Sequence, residues 1–205
     1  MIEADRPFWE GFWRLHNYGY ANEKLLSYIG EHLSSREGGR VLDLAAGNGR
    51  YGVEIAARYP VTVDAVEFAG SAAELMRENA TKAGVLERVR IHQMDVWDFE
   101  PEHDYDVVVA GGIIEIIQPE RRGVFIDMVK ELTCPDGMNV WSYVLSRYHA
   151  DGSLFEVSVE PGLIPPFYQP PWEIIFSDDS GSQMKKARIR DGFYTSGHAV
   201  AKRSI

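Results

Sequence analysis

The chain has 205 residues, with 31 acidic and 21 basic side chains giving a formal net charge of −10 and an isoelectric point near 5.1. That length supports one ordinary hydrophobic core, and at 45% hydrophobic and 25% charged residues the chain is neither disordered nor fibrous. The basic clusters Arg121-Arg122 and Lys185-Lys186-Ala187-Arg188 are short and lie in acidic surroundings, which disfavours a phosphate-neutralising nucleic-acid or anionic-membrane surface and points to a small-molecule partner.

Residues 1–21 are rich in aromatics, and Phe8/Trp9, Phe12/Trp13 and His16 recur at the spacing of a short amphipathic helix. A second helix is predicted over 22–33, with Leu25, Leu26 and Ile29 as its apolar stripe, before the turn Glu37-Gly38-Gly39. From there strands and helices alternate. Predicted strands are 41–44, 61–66, 89–93, 105–110 and 138–145; predicted helices follow the first, second and fourth of them. The second of these helices spans 71–83, with Ser71 as N-cap and Glu74 three residues on. Cys134-Pro135-Asp136-Gly137 reads as a turn. Continuous apolar strands with helical crossovers require a parallel sheet covered on both faces. After Ser146 the rhythm breaks in a stretch, 146–171, too rich in proline for a helix interior. Two further β-like runs, 172–176 and 192–201, suggest an antiparallel pair at one sheet edge. The organisation expected is a single domain over 1–205, with a helical cap at 1–36 and a Pro-rich substrate-side insertion at 146–171.

The most informative stretch is Val41-Leu42-Asp43-Leu44-Ala45-Ala46-Gly47-Asn48-Gly49-Arg50. In an open parallel sheet, ligands bind beyond the carboxyl ends of the strands, and a tight turn there needs small residues so that backbone can approach the ligand. A pyrophosphate-binding turn prefers Gly-x-Gly-x-x-Gly, whereas here the pattern is Ala-x-Gly-x-Gly behind an acid. Asp43 beside the turn suits a ligand that carries an ammonium group. Glu67 ends the second strand about twenty residues beyond, and a carboxylate there can accept two ribose hydroxyls. Asp95 follows the third strand, and small residues Ala110 and Gly111 end the fourth.

These residues resemble the class I S-adenosylmethionine-dependent methyltransferases, whose motif is Asp-x-Gly-x-Gly-x-Gly; Ala45 stands at the first glycine. The resemblance covers roughly residues 15–145. It implies a Rossmann-like, doubly wound, mostly parallel seven-stranded sheet with an antiparallel edge hairpin, and S-adenosylmethionine as cofactor, leaving S-adenosylhomocysteine as product. By the same resemblance, Asp43, Ala45, Gly47, Asn48 and Gly49 form the cofactor turn, and Glu67 takes the ribose with Phe68 beside the adenine. Asp95 then meets the adenine amino group, Val96 or Trp97 flanks the ring, and Ala110 and Gly111 pass the methionine part.

The two ends of the chain, around Trp13–Tyr20 and 172–203, look like the tellurite-resistance and thiopurine methyltransferase group, which implies a small nucleophile as methyl acceptor through nitrogen, oxygen or sulfur. Methyl transfer is an in-line displacement, so the protein holds the reactants in line, excludes water and supplies a base where the nucleophile carries a proton. The residues placed for this are Glu115 after the fourth strand and Tyr18, the latter also as a lid over the cofactor. Trp13, Tyr20, Ile114, Tyr143, Arg147 and Tyr168 are the candidate substrate contacts. A cationic substrate would favour Glu115 and the aromatics, a carboxylate Arg147. The alternative is a non-catalytic cofactor-binding partner or regulator on the same fold.

No His/Asp/Glu cluster has metal-ligand spacing, and the single cysteine, Cys134, excludes an internal disulfide and a cysteine-based metal site. No basic-then-apolar leader begins the sequence, and no apolar run approaches the ~20 residues of a membrane-spanning helix. A soluble, cytoplasmic enzyme is the expectation.

Overall fold

The computed structural model describes residues 6–17, 19–36, 38–181, 185–186 and 192–205. Its strands, in chain order, are β1 (Arg40–Leu44), β2 (Thr62–Val66), β3 (Val89–His92), β4 (Tyr105–Gly111), β5 (Thr133–His149), β6 (Leu154–Val157), β7 (Trp172–Asp178), β8 (Lys185–Lys186) and β9 (Gly192–Arg203). The helices are α1 (Arg6–Leu15), α2 (Glu23–Leu33), α3 (Gly52–Arg58), α4 (Gly70–Lys82) and α5 (Pro119–Glu131). All the strands join one sheet, whose main path runs β3-β2-β1-β4-β5-β9-β7. The first five pair in parallel, and β9 and β7 extend the sheet antiparallel, as the sequence pattern predicts. The short β6 and β8 pair with β5 and β9 off this path. Strand order reverses between β1 and β4, the switch point at which this architecture leaves a crevice.

Alternation along the central strands divides the core into two layers. Val41, Val107 and Val109 face α2, α3 and α4, where they meet Leu25, Ile29, Ile55 and Met76. Leu42, Leu44, Val108 and Ala110 face the opposite side, against Phe125, Ile126 and Val129 of α5. No helix among the described residues is long and apolar enough to cross a membrane.

Three sequence expectations change. The expected N-terminal cap divides in two: α2 packs into the core, whereas α1 buries no residue and contacts α4. The N-cap of α4 is Ala69, with Ser71 inside the helix, because the Glu10 carboxylate of α1 takes the first two N–H groups of the helix, Gly70 at 2.7 Å and Ser71 at 2.9 Å. A carboxylate from another element thus does the work of a local cap. The turn at 134–137 lies within a longer β5, and Asp136 takes a φ of 60°.

The Pro-rich stretch also departs from a substrate-side insertion. Val159, Ile164, Tyr168 and Trp172 enter the core layer beside α5. The Tyr168 hydroxyl accepts from Trp141 Nε1 at 2.7 Å and donates to Asn139 Oδ1 at 2.9 Å, deep beside β5. A buried donor and a buried acceptor therefore share one hydroxyl. Tyr168→Phe leaves both without it and is expected to destabilise the protein by about 1–3 kcal/mol, read in urea denaturation as a lower midpoint with an unchanged slope.

Candidate cofactor and active site

The turn joining β1 to α3 is built on left-handed backbone. Ala45, Gly47 and Gly49 have φ of 53°, 59° and 79°. Ala45, standing where the resemblance expects glycine, bears the steric cost that an L side chain meets there, about 1–2 kcal/mol. Gly47 cannot carry a side chain, since a Cβ would lie 2.6 Å from Cζ2 of Trp13. Asn48 is buried, and its side-chain amide donates to Asn17 Oδ1 at 3.0 Å.

Two buried carboxylates hold this turn. Asp43 Oδ2 accepts the Gly52 N–H at 2.8 Å, serving the first turn of α3, whose own N-cap, Tyr51, makes no side-chain capping bond. One oxygen of Asp43 thus serves backbone, on the α3 side of the sheet. Glu67 bridges two loops, with Oε2 accepting from Gly47 N at 2.9 Å and Oε1 from Ala69 N at 2.8 Å. Burial pushes both acids up to about 7, against the opposing pull of those N–H groups. The Phe68 N–H adds to this pull, and the carboxylate keeps acceptor capacity for a further donor.

Asp95 sits just beyond β3, where its Oδ1 accepts from Trp97 N at 3.1 Å. The Met94 N–H donates to the Glu67 carbonyl, so the loops after β2 and β3 are in direct backbone contact. Their side chains are arranged differently from the expectation. Val96 is buried in the α5-side core, and Trp97 lies beneath the guanidinium of Arg121, 4.1 Å from its ring centre, with its edge to Phe125. Neither side chain is free to flank an adenine. Phe68 is buried at the start of α4, with the Arg6 guanidinium 5.2 Å over its ring.

On the other side of the switch point, β4 ends at Ala110 and Gly111. Glu115 follows in a one-turn 3-10 helix, its Oε1 accepting from Val144 N at 3.4 Å. Glu115 Oε2 is out of solvent and has no hydrogen-bond partner among the described residues. Burial raises the pKa of this carboxyl, and the positive charges of Arg147 and Arg50 act against the rise. Arg50, which the sequence reading passed over, is drawn to this end of the site. Its Nη2 donates to the Gly111 carbonyl at 3.4 Å and lies near Gly112.

The remaining sequence candidates scatter. Tyr18 lies outside the described residues. Trp13 rests on Gly47, at the Glu67 end. Tyr20 is 93% exposed, at the mouth of a cavity of about 420 Å³ shared with Asn17, Asn48, Arg50 and Asn79. Ile114 is wholly buried in the α5-side core, so it meets packing and not substrate. Tyr143 is buried too and donates to Asp179 Oδ1 at 2.6 Å, tying β5 to the segment after β7. Tyr168 is the core hydrogen-bonding residue described above. Arg147 remains on the Glu115 side, paired across β5 and β6 with Glu156 at 3.7 Å. Among the described residues no group of three or more His, Cys, Asp or Glu is placed to hold a metal ion.

A buried acid whose pKa is raised on folding costs stability as pH climbs from its unfolded to its folded value. For Asp43 that window runs from about 4 to about 7. Asp43→Asn keeps an acceptor for Gly52 and removes the buried charge. Its melting temperature relative to wild type is expected to rise through this window and to level off above it, as scanning calorimetry across pH would read.

Residues 41–137 match the family model described as a methyltransferase domain. An O-methyltransferase of Aspergillus nomiae is 27% identical over 169 residues, covering 75% of this chain and 72% of that enzyme. Among solved structures, TehB from Haemophilus influenzae superposes with a TM-score of 0.69 at 15% identity, covering 95% of this chain and 66% of that one. The magnesium protoporphyrin IX methyltransferase of Synechocystis PCC 6803 gives 0.69 at 15% identity, covering 98% and 96%. The two superpositions concern the fold. Together with the glycine turn, the acid that ends β2 and the parallel switch-point sheet, the domain match gives residues 41–137 the likeness of an S-adenosylmethionine-dependent methyltransferase domain.

Proposed function

We propose that the protein transfers a methyl group from S-adenosylmethionine to a small-molecule nucleophile that carries a removable proton on nitrogen or oxygen. The observation that carries this reading is Glu115 Oε2, a buried carboxylate oxygen with no partner among the described residues, just beyond the carboxyl end of β4 and across the switch point from Glu67. An unpaired acceptor in such a place is costly unless a ligand donates to it.

The residues at the other end suit an adenosyl ligand. Gly47 has no side chain to keep a ring from its Cα, where the Trp13 indole lies in this structure, and the Glu67 carboxylate is fixed beside it by the Gly47 N–H. Ribose hydroxyls meeting the spare lone pairs of Glu67 would complete its hydrogen bonding. Asp95 and the ring of Phe68 stand at the adenine end, and Ala45, Ala110 and Gly111 leave room for the methionyl chain. Arg50, at the β4 mouth, would meet the carboxylate of that chain. When bound, the sulfonium supplies an activated methyl group and a neutral thioether leaving group. Glu115 takes the proton of the nucleophile, and burial, by raising its pKa, increases the proton affinity of its carboxylate. Arg147 lies on the same side and would orient an anionic part of the acceptor.

The printed activity of the Aspergillus relative, an O-methyltransferase, agrees with an oxygen acceptor. The likeness in fold to TehB supports a place in the small-molecule tellurite-resistance and thiopurine group, and a cytoplasmic setting goes with that reading. Glu115→Gln keeps the shape and removes the proton acceptor. It is expected to lower kcat for methyl transfer to a phenol, alcohol and amine panel by roughly 10²- to 10⁴-fold, with calorimetric affinity for S-adenosylhomocysteine unchanged. Glu67→Ala is expected to do the reverse, weakening that affinity by roughly 10- to 100-fold through the loss of charged hydrogen bonds. Full transfer activity in Glu115→Gln would contradict the assigned role.

A further inference from the structure

α1 lies over the nucleoside end of the site without joining the core. None of its ten residues is buried, and Phe8 and Leu15 are 53% and 81% exposed. Its hold on the protein is concentrated at the start of α4. Glu10 accepts from the backbone of Gly70 and Ser71, and the Ser71 hydroxyl donates back to the Glu10 carbonyl at 3.0 Å. Arg6 donates to the Phe68 carbonyl at 2.7 Å and covers the Phe68 ring. Trp9 and Trp13 pack on the patch formed by Phe68, Ala69 and Ala72. The Trp13 indole also lies directly against Gly47, so close that a Cβ there would be 2.6 Å from Cζ2 and 2.9 Å from Cη2.

We propose that α1 is a gate on the nucleoside end of the cofactor site, with Glu10 as its latch and Trp13 as the group that must leave Gly47 when the nucleoside enters. The proposal rests on the reading of Gly47, Glu67 and Phe68 as nucleoside contacts. One face of Gly47 can touch only one ring system at van der Waals distance, and in this structure that is the indole. The latch suits a reversible closure. Ala69 gives α4 no side-chain cap, so its first N–H groups attract a carboxylate both as donors and as the positive end of the helix. When Glu10 lifts away, water takes its place on Gly70 and Ser71, and opening also draws Trp9 and Trp13 off the patch of Phe68, Ala69 and Ala72.

Stopped-flow binding of S-adenosylhomocysteine to the full chain tests this, comparing wild type with Glu10→Ala and Trp13→Ala. Loss of the latch is expected to raise both the association and the dissociation rate constants by roughly three- to tenfold, the factor that a capping carboxylate is worth, with little change in affinity. Ligand-free amide exchange gives a second reading, slow at Gly70 and Ser71 in wild type and faster in Glu10→Ala. Wild-type rates in both variants, or exchange that does not change, overturn the gate. Faster dissociation with unchanged association also overturns it, because α1 would then be a wall of the bound state. Absence of binding by all three proteins defeats the cofactor reading itself, on which the gate stands.

Discussion

The site depends on one buried carboxylate. Glu67 leaves the end of β2 and holds the Gly47 and Ala69 N–H groups at once, joining the glycine turn after β1 to the start of α4. Without that bridge, the turn would present left-handed backbone with an unsatisfied donor. Burying a carboxylate is expensive, and the upward pressure on its pKa records the expense. Two backbone donors offset part of it, and a ligand with two vicinal hydroxyls would offset more. Asp43 plays a companion role toward α3, where its Oδ2 accepts the Gly52 N–H.

Around this bridge the sheet separates two kinds of chemistry. On the β1–β2 side stand Gly47, Glu67 and Phe68, suited to a nucleoside and covered by α1. On the β4–β5 side stand Glu115, Arg50 and Arg147, with charge gathered around a buried oxygen that has no partner among the described residues. The reversal of strand order between β1 and β4 gives the two groups adjoining places at one end of the sheet. A methyl group handed from one side to the other would cross that crevice, sheltered from water by the same core layers that hold the strands.

Much of this was legible in the sequence because it is local. The alternation of short apolar strands with helices fixes a parallel sheet, and Asp43, Glu67, Asp95 and Glu115 could be singled out because each stands in or just beyond the carboxyl end of a strand. What escaped depended on distant partners. Ser71 with Glu74 is a reasonable capping pattern, but Glu10, sixty residues earlier, supplies the acceptor. Tyr143 and Tyr168 look like pocket aromatics in a Pro-rich context, yet their hydroxyls are committed to Asp179 and to the Trp141–Asn139 pair. By position Val96 looks like a ring-flanking residue and Ile114 like a substrate contact, and the side on which each strand end turns sends both into the α5 layer. Arg50 carried a signal that was available and unused, a cation immediately after the last glycine of the turn.

The most direct test of the account is a crystal structure with S-adenosylhomocysteine bound. The account predicts the ribose hydroxyls on the two oxygens of Glu67, the ring of Trp13 displaced from Gly47, and the sulfur facing the crevice that holds Glu115. A nucleoside seated away from Glu67, or one that shares the site with an unmoved Trp13 while its sulfur faces away from Glu115, would contradict it.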